Sequence, residues 1–203
     1  RRLLRCAPCA ALKELAMPPE PLAYFITFTC YGTWLQGDER GSVDREHNQY
    51  GAPLLEPNQG LNNGRRSAMA DSPYIMDDGH RRIALRAICT LAAKKSWQLL
   101  AVHVRTNHIH IIVESDQPIE RVMNDCKAAV SRALNKQFPD EHNRKRWTRH
   151  GSTRYLWTIE QLEEKIDYVL NRQGEPMERY PESQIEQSRL LRCAPCAALN
   201  SSD

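Results

Sequence analysis

Hydrophobic residues recur with a period of two in some stretches of the chain and with a period near 3.6 in others. Alternating, β-branched or aromatic-rich stretches predict four strands, at 23–32, 99–104, 108–113 and 153–157. Apolar positions three and four residues apart predict three helices, at 78–98, 118–138 and 158–174. Residues 33–79 show no sustained period, so this region is predicted to be a long excursion after the first strand.

The order of these elements predicts the fold class. Strand, helix, strand, strand, helix, strand and a final helix correspond to an α+β, ferredoxin-like split βαβ domain with an antiparallel sheet and an added C-terminal helix. The two middle strands are separated only by 105–107, which are short and polar enough for a hairpin turn.

The second strand of this hairpin carries two histidines on one face. Successive side chains of a strand point to opposite faces, so His108, His110 and Ile112 share one face, while Ile109 and its alternate neighbours share the other. Two imidazoles at the start of a strand can offer nitrogens to one metal ion or one phosphate. A lone His-x-His pair is as often simply a hydrogen-bonded part of a sheet face, so the pair requires further supporting residues.

Composition indicates an ordinary soluble domain. Apolar residues make up 41% and charged residues 26% of the 203 residues, and no apolar run approaches the roughly 18 residues of a membrane span, so we expect a cytoplasmic protein without a membrane partner. The net charge of +3 is small but unevenly distributed. The segment 144–157 has five cations, no acid and three aromatic residues, Trp147, Tyr155 and Trp157.

Cations beside stacking rings are typical of a groove for single-stranded nucleic acid. The polar face of the helix predicted at 118–138 adds further basic residues. The predicted DNA-binding residues are Lys127, Arg132, Arg144, Lys145, Arg146, Arg149 and Arg154.

The two ends of the chain repeat one sequence. "RLLRCAPCAAL" occurs at 2–12 and again, identically, at 189–199, and each copy contains a Cys-x-x-Cys pair. Four such cysteines resemble a zinc site, but identity over eleven residues favours a DNA repeat translated twice. We therefore expect a catalytic domain at 18–180 between poorly ordered tails at 1–17 and 181–203.

The last predicted helix brings a candidate nucleophile. Leu162, Ile166, Val169 and Leu170 form its apolar stripe, and Tyr168 lies off that stripe near Lys165. A helical tyrosine is more often a core residue than a reactive one. A tyrosine can nevertheless act as a covalent nucleophile, and a phosphate held by two histidines and a metal is a suitable electrophile.

Residues 22–175 resemble the single-tyrosine, His-hydrophobic-His (IS200-like) transposases, and in particular the REP-associated tyrosine transposases. The resemblance rests on "YFITFTCYGTWLQGDERG" at 24–41, "NHIHIIV" at 107–113, "GSTRYLW" at 151–157 and "YVLNRQG" at 168–174. It implies that His108 and His110 hold Mg²⁺ or Mn²⁺ on a scissile phosphate of single-stranded DNA. It also implies that Tyr168 attacks to form a 5′-phosphotyrosine link and a free 3′-hydroxyl, at hairpin or repeat sequences. The sequence leaves open whether the protein is a monomer or a homodimer.

One position departs from the family pattern. Relatives commonly have an amide residue one helical turn after the tyrosine as a third metal ligand, but this chain has Arg172, which has no lone pair to donate. Asn171 would suit an ideal helix, and Gln173 would suit a helix that loosens before Gly174; we weigh them equally as metal ligands. Glu164 is a carboxylate alternative.

Two other functions fit the same residues. A catalytically silent protein derived from such an enzyme would bind DNA hairpins without cutting them. A metal hydrolase would activate water with the same histidines and would leave no covalent adduct on the protein.

Overall fold

The structure is a computed structural model that describes residues 20–41 and 55–181. The strands are β1 (Ala23–Thr29), β2 (Gln98–Val104), β3 (His108–Glu114), β4 (Ser152–Leu156) and β5 (Glu178–Tyr180). The helices are α1 (Gln59–Ser67), α2 (Asp78–Lys95), α3 (Ile119–Gln137) and α4 (Ile159–Asn171), with one short 3₁₀ turn at Pro139–Glu141.

The strands form one antiparallel sheet in the order β4-β1-β3-β2-β5. The strand order β4-β1-β3-β2 is that of the split βαβ arrangement, so the predicted α+β, ferredoxin-like class is confirmed. The predicted hairpin is also present, because β2 and β3 pair directly across 105–107. The register places Thr27 opposite His110 and Thr29 opposite His108, so the start of β3 lies beside the end of β1.

The sheet is covered on both faces. The larger core contains Ile109, Ile111 and Val113 of β3 and lies against α2 and α3. The smaller core contains Ile112 and the apolar stripe of α4, and lies on the histidine face. The added C-terminal helix therefore packs directly on the sheet face that carries the histidine pair.

The predicted helix ends have identifiable caps. The Asp77 carboxylate accepts the His80 backbone N–H at the start of α2, and Ser96 ends this helix in the left-handed conformation at φ 56°. The Thr158 hydroxyl accepts the Gln161 N–H at the start of α4. The Gln161 side chain accepts the Trp157 N–H, so the two side chains form a reciprocal cap whose second bond lies one residue earlier than in the usual capping box.

Two elements were absent from the prediction. The excursion contains α1, a helix without buried residues that starts at the Asn58 cap. Its sequence, "QGLNNGRRS", has too few apolar residues to give a helical period. The three-residue strand β5 was likewise too short to detect by alternation.

The proposed tails and their four cysteines lie almost entirely outside the described residues, so the domain boundaries and the zinc alternative stay predictions. Within the described ranges, no helix has both the length and the apolarity needed to cross a membrane.

The two-sided sheet predicts a large effect of truncating β3. Ile111 is fully buried, whereas Ile75 is 67% exposed. We expect Ile111→Ala to lower the free energy of unfolding by about 3 kcal/mol through lost burial and a cavity. The matched change Ile75→Ala should stay within about 0.5 kcal/mol. Urea denaturation of both variants measures the difference, and equal losses would contradict the described core.

Candidate active site

The two histidines of β3 lie on the α4 face of the sheet with their ring centroids 4.7 Å apart. His108 Nδ1 lies 2.7 Å from Asn107 Oδ1, and because an amide oxygen only accepts, Nδ1 carries the proton. His110 Nδ1 lies 2.7 Å from the Thr27 hydroxyl, which can donate or accept. Each ring is therefore oriented through Nδ1.

Burial keeps both histidines neutral. It lowers the pKa of His108 to about 4 and that of His110 to about 3, and the Gln173 side chain opposes these shifts only in part. Near pH 7 each ring then has a nitrogen lone pair, which is the form that can bind a metal ion.

Tyr168 lies next to the histidine pair. Its ring centroid is 5.7 Å from that of His110, and its ring meets Phe25 edge to face at 6.2 Å. The side chain is 36% exposed, unlike the apolar stripe of α4, which is buried. Lys165 Nζ lies 5.8 Å from the Tyr168 ring centroid. The expectation that this tyrosine projects away from the core is met.

The end of α4 distinguishes the two amides that the sequence left open. The helix ends at Asn171, so Gln173 lies outside it and its Oε1 accepts from His110 Nε2 at 3.1 Å, which places the proton of His110 on Nε2 in this structure. The Gln173 Nε2 donates to the Tyr168 carbonyl at 3.1 Å, which fixes the orientation of the amide. Asn171 instead donates to Asp167 at 2.9 Å.

The other candidate positions on α4 also point elsewhere. Arg172 pairs with Asp167 at 2.6 Å, and Glu164 pairs with Lys165 at 2.9 Å. Of the alternatives considered for a third ligand, only Gln173 contacts the histidine pair in the structure.

Two imidazole nitrogens and one amide oxygen are thus directed into one region. In the part of the chain that the structure describes, no cluster of three His, Cys, Asp or Glu side chains offers another metal site. Two imidazole nitrogens and an amide oxygen form an N₂O donor set that is compatible with a divalent ion. Its two imidazoles favour Mn²⁺ over Mg²⁺, which prefers oxygen ligands.

Two of the predicted DNA-binding residues are structural, which corrects the sequence-based assignment. Arg146 is 4% exposed and donates to Tyr74, Asn135 and Glu141. Lys127 is 8% exposed and donates to the carbonyls of Thr148 and His150. Both cations are buried and bond to protein groups, so the structure gives them a structural role rather than an exposed position for phosphate contact.

The remaining basic residues are better placed. Arg149 is exposed and lies between the two carbonyls that Lys127 holds, so the chain presents its side chain outward. Arg154 lies opposite Phe25 in the register of β1 and β4, on the same sheet face as His110. Lys145 and Arg132 are exposed, and Arg144 donates to Ser72.

The aromatic residues of the basic segment also differ in role. Trp147 packs edge to face on Phe28 and donates its indole N–H to Ser131, so it belongs to the core rather than to a stacking surface. Tyr155 is 48% exposed. Trp157 lies 5.9 Å from it, ring to ring.

Three residues around the site were not predicted. Thr27 and Asn107 orient the histidines, and His103 of β2 pairs in register with His110. The period-two pattern could have placed His103 on the histidine face, since "LLAVHV" was already assigned to a strand. The contacts of Thr27 depend on strand pairing, which a single sequence does not give.

The family model described as "Transposase IS200 like" matches residues 72–168, which confirms the predicted resemblance to the IS200-like transposases. The match includes His108 and His110 and ends at Tyr168, so Gln173 and β5 lie beyond it. No curated protein matches the chain.

Similar solved structures include two transposases. One is a REP-associated tyrosine transposase bound to a REP hairpin, with 12% identity and a TM-score of 0.42 over 77% of this chain and 68% of that one. The other is a transposase-like protein from Deinococcus radiodurans R1, with 12% identity and a TM-score of 0.43 over 75% of this chain and 91% of that one.

The contrast between buried and exposed arginines gives a paired prediction. Arg146→Ala should lower the free energy of unfolding by about 3 kcal/mol, because it removes a buried guanidinium and its bonds to Asn135 and Glu141. Arg149→Ala should leave stability within about 0.5 kcal/mol but reduce the slope of log affinity for single-stranded DNA against log salt by about 0.7.

Urea denaturation and salt-dependent DNA titration measure the two effects. The assignment of Arg146 to the interior and Arg149 to DNA would be reversed by two results together. These are an unchanged salt slope in Arg149→Ala, and native stability with a reduced salt slope in Arg146→Ala.

Proposed function

From the match of residues 72–168 to the IS200-like transposases, we propose that this protein is a metal-dependent transposase that nicks and joins single-stranded DNA through a 5′-phosphotyrosine intermediate. Its substrates would be hairpin or repeat sequences. The family match itself indicates a DNA-processing enzyme; the chemistry is our proposal from the arrangement of the site.

The observation that carries this proposal is the convergence of three elements on His110. Thr27 of β1 supports its Nδ1, Gln173 after α4 lies 3.1 Å from its Nε2, and the Tyr168 ring lies 5.7 Å from its ring centroid. A nucleophile and a metal-type donor set thus meet on a partly exposed surface, whereas a histidine pair of purely structural role needs neither.

His108, His110 and Gln173 would hold the Mg²⁺ or Mn²⁺. The Asn107 bond leaves the His108 Nε2 lone pair available, and the Thr27 hydroxyl can accept from Nδ1 of His110 when Nε2 is a ligand. When bound, the ion would polarise a phosphate oxygen and offset the charge that develops in the transition state.

Tyr168 would supply the nucleophile. Its phenol oxygen forms a bond to the phosphorus, the bond from phosphorus to the 3′ oxygen breaks, and the phenolic proton is lost as the 3′ oxygen becomes a hydroxyl. The DNA fragment downstream of the cut stays attached to the protein through its 5′ phosphate. Attack by another 3′-hydroxyl on the same phosphorus would release the tyrosine and join strands, so no external energy source is needed.

The remaining basic residues would guide the DNA. Arg154, which is partly exposed opposite Phe25 on the face that carries the histidines, and Arg149, which is exposed just before β4, would contact phosphates on either side of the scissile one. Arg144 and Lys145 precede Arg149 in the same segment and would extend the contact, whereas Arg132 lies on α3, which covers the opposite face of the sheet. A second copy of the chain, in a homodimer, would be a further partner.

Removing one oxygen tests the nucleophile. We expect Tyr168→Phe to fold and to bind single-stranded DNA, but to lose the covalent adduct and cleavage completely. A labelled single-stranded oligonucleotide with an intact cleavage position near its 5′ end, whose short released fragment diffuses away, traps the adduct. Denaturing electrophoresis then measures the adduct and the cleavage. His108→Ala and chelation of divalent metal should also abolish the adduct and leave most of the binding.

Other outcomes of the cleavage and binding measurements would indicate a different function. Cleavage without an adduct in the native protein would indicate a metal hydrolase. Tight hairpin binding without cleavage would indicate a silent binding protein. An adduct that persists in Tyr168→Phe would assign the nucleophile to another residue, with Tyr155 the next to examine.

The two neighbouring amides provide a matched pair for the metal. Gln173→Ala should weaken Mn²⁺ binding and adduct formation by about 10-fold or more, in the range of a lost ligand-supporting group. Asn171→Ala removes an amide that contacts only Asp167 among the described residues, and should change neither by more than about twofold. Mn²⁺ titration by electron paramagnetic resonance measures the affinity, and equal effects of the two changes would exclude Gln173 as the third ligand.

A further inference from the structure

Side chains cap three successive carbonyls at the end of α4. The Tyr168 carbonyl accepts from Gln173, the Val169 carbonyl accepts from His103 Nδ1 at 2.7 Å, and the Leu170 carbonyl accepts from Arg179 at 3.0 Å. The last carbonyls of a helix lack partners inside the helix, and among the described residues only the Tyr168 carbonyl of these three also accepts a backbone N–H, from Arg172 at 3.2 Å. The side-chain bonds therefore contribute to how the helix end is held. Here two of the three donors come from the neighbouring strands β2 and β5.

His103 makes two such connections. Its ring is 1% exposed, and its Nε2 accepts the Met177 backbone N–H at 3.3 Å while Nδ1 donates to Val169. Both ring nitrogens are therefore occupied by backbone groups, one before and one after Gln173. The carbonyl can only accept and the amide can only donate, so the two bonds require the neutral imidazole with its proton on Nδ1.

The position of His103 connects these bonds to the candidate active site. His103 lies opposite His110 on β3 and opposite Arg179 on β5, so the three side chains form one row across the sheet face under α4. Val169 follows the candidate nucleophile directly. The segment between Val169 and Met177 contains Gln173, and Arg105 adds a further bond to the Glu175 carbonyl.

We propose that His103 is a positioning residue that holds the end of α4 and the segment after it, so that Tyr168 and Gln173 reach the histidine pair together. This inference rests on the proposed function, since it assigns the means by which that site is assembled. His103 touches neither DNA nor metal in this account.

Hydrophobic packing alone does not explain a histidine here. Burying an imidazole costs desolvation energy that an apolar side chain of similar size avoids, so the two hydrogen bonds are what a histidine adds. The chain after α4 leaves the helix at Arg172 and passes through Gly174 at φ 75°, so no helical hydrogen bonds fix Gln173. A bond on each side of this turn restricts it from both ends.

The test compares three variants of the full chain. His103→Leu removes both bonds, and His103→Asn keeps a donor for the Val169 carbonyl but offers little to Met177. Val102→Ala is the control, because Val102 lies on the same strand but in the core of the opposite face. It should lower overall stability without touching α4.

Three measurements separate positioning from stability. In His103→Leu we expect the Met177 amide to lose at least 10-fold of its hydrogen-exchange protection, Mn²⁺ affinity to fall, and the rate of adduct formation at saturating DNA to fall about 10- to 100-fold. DNA affinity should stay within twofold. His103→Asn should recover part of the rate, and Val102→Ala should retain the native rate and the native Mn²⁺ affinity.

The outcomes are distinguishable from failure of the proposed function. If the native protein forms no adduct, the proposed function fails, while Mn²⁺ affinity and Met177 protection still decide the role of His103. If His103→Leu keeps native adduct rate, Mn²⁺ affinity and Met177 protection, or if Val102→Ala loses as much rate as His103→Leu, the positioning role is wrong.

Discussion

The two-residue alternation of β3 is the constraint on which the site depends. Ile109 and Ile111 must face the larger core, because burying them against α2 and α3 supplies much of the apolar contact that holds the domain together. His108 and His110 are then forced onto the opposite face. A shift of one residue in the pairing of β3 would bury the histidines in the larger core and expose the isoleucines, so the strong core also fixes the position of the site.

The same alternation explains why the fold and the histidine pair could be predicted. The strands, the helix stripes and the side of α4 from which Tyr168 projects all follow from the period of apolar residues, and each was confirmed by the structure. The third candidate ligand could not be chosen in this way. An ideal helix favours Asn171, and only the end of α4 at that residue lets Gln173 turn toward His110. A helix end depends on tertiary partners such as His103 and Arg179, which the local sequence does not show.

The basic segment shows a second limit of sequence interpretation. Arg146 and Arg149 are three residues apart and equally basic, but one is enclosed by Tyr74, Asn135 and Glu141 while the other is exposed. Tyr74 comes from a distant part of the chain, and Asn135 and Glu141 reach Arg146 only because the chain folds back after α3, so charge pattern alone cannot separate the two. Lys127 is buried like Arg146, and its bonds to the Thr148 and His150 carbonyls set the direction of the exposed Arg149 between them.

Gln173 bonds at once to the Tyr168 carbonyl and to His110, and this double contact has a thermodynamic consequence. On the proposed assignment, one amide belongs both to the ion site and to the cap of the helix that carries the nucleophile. Linkage then requires that an ion which orders this amide also stabilises the helix end, and that a well-ordered helix end binds the ion more tightly by the same free energy. Metal binding would therefore favour the ordered helix end that carries Tyr168, and ordering of that helix end would favour metal binding to the same extent.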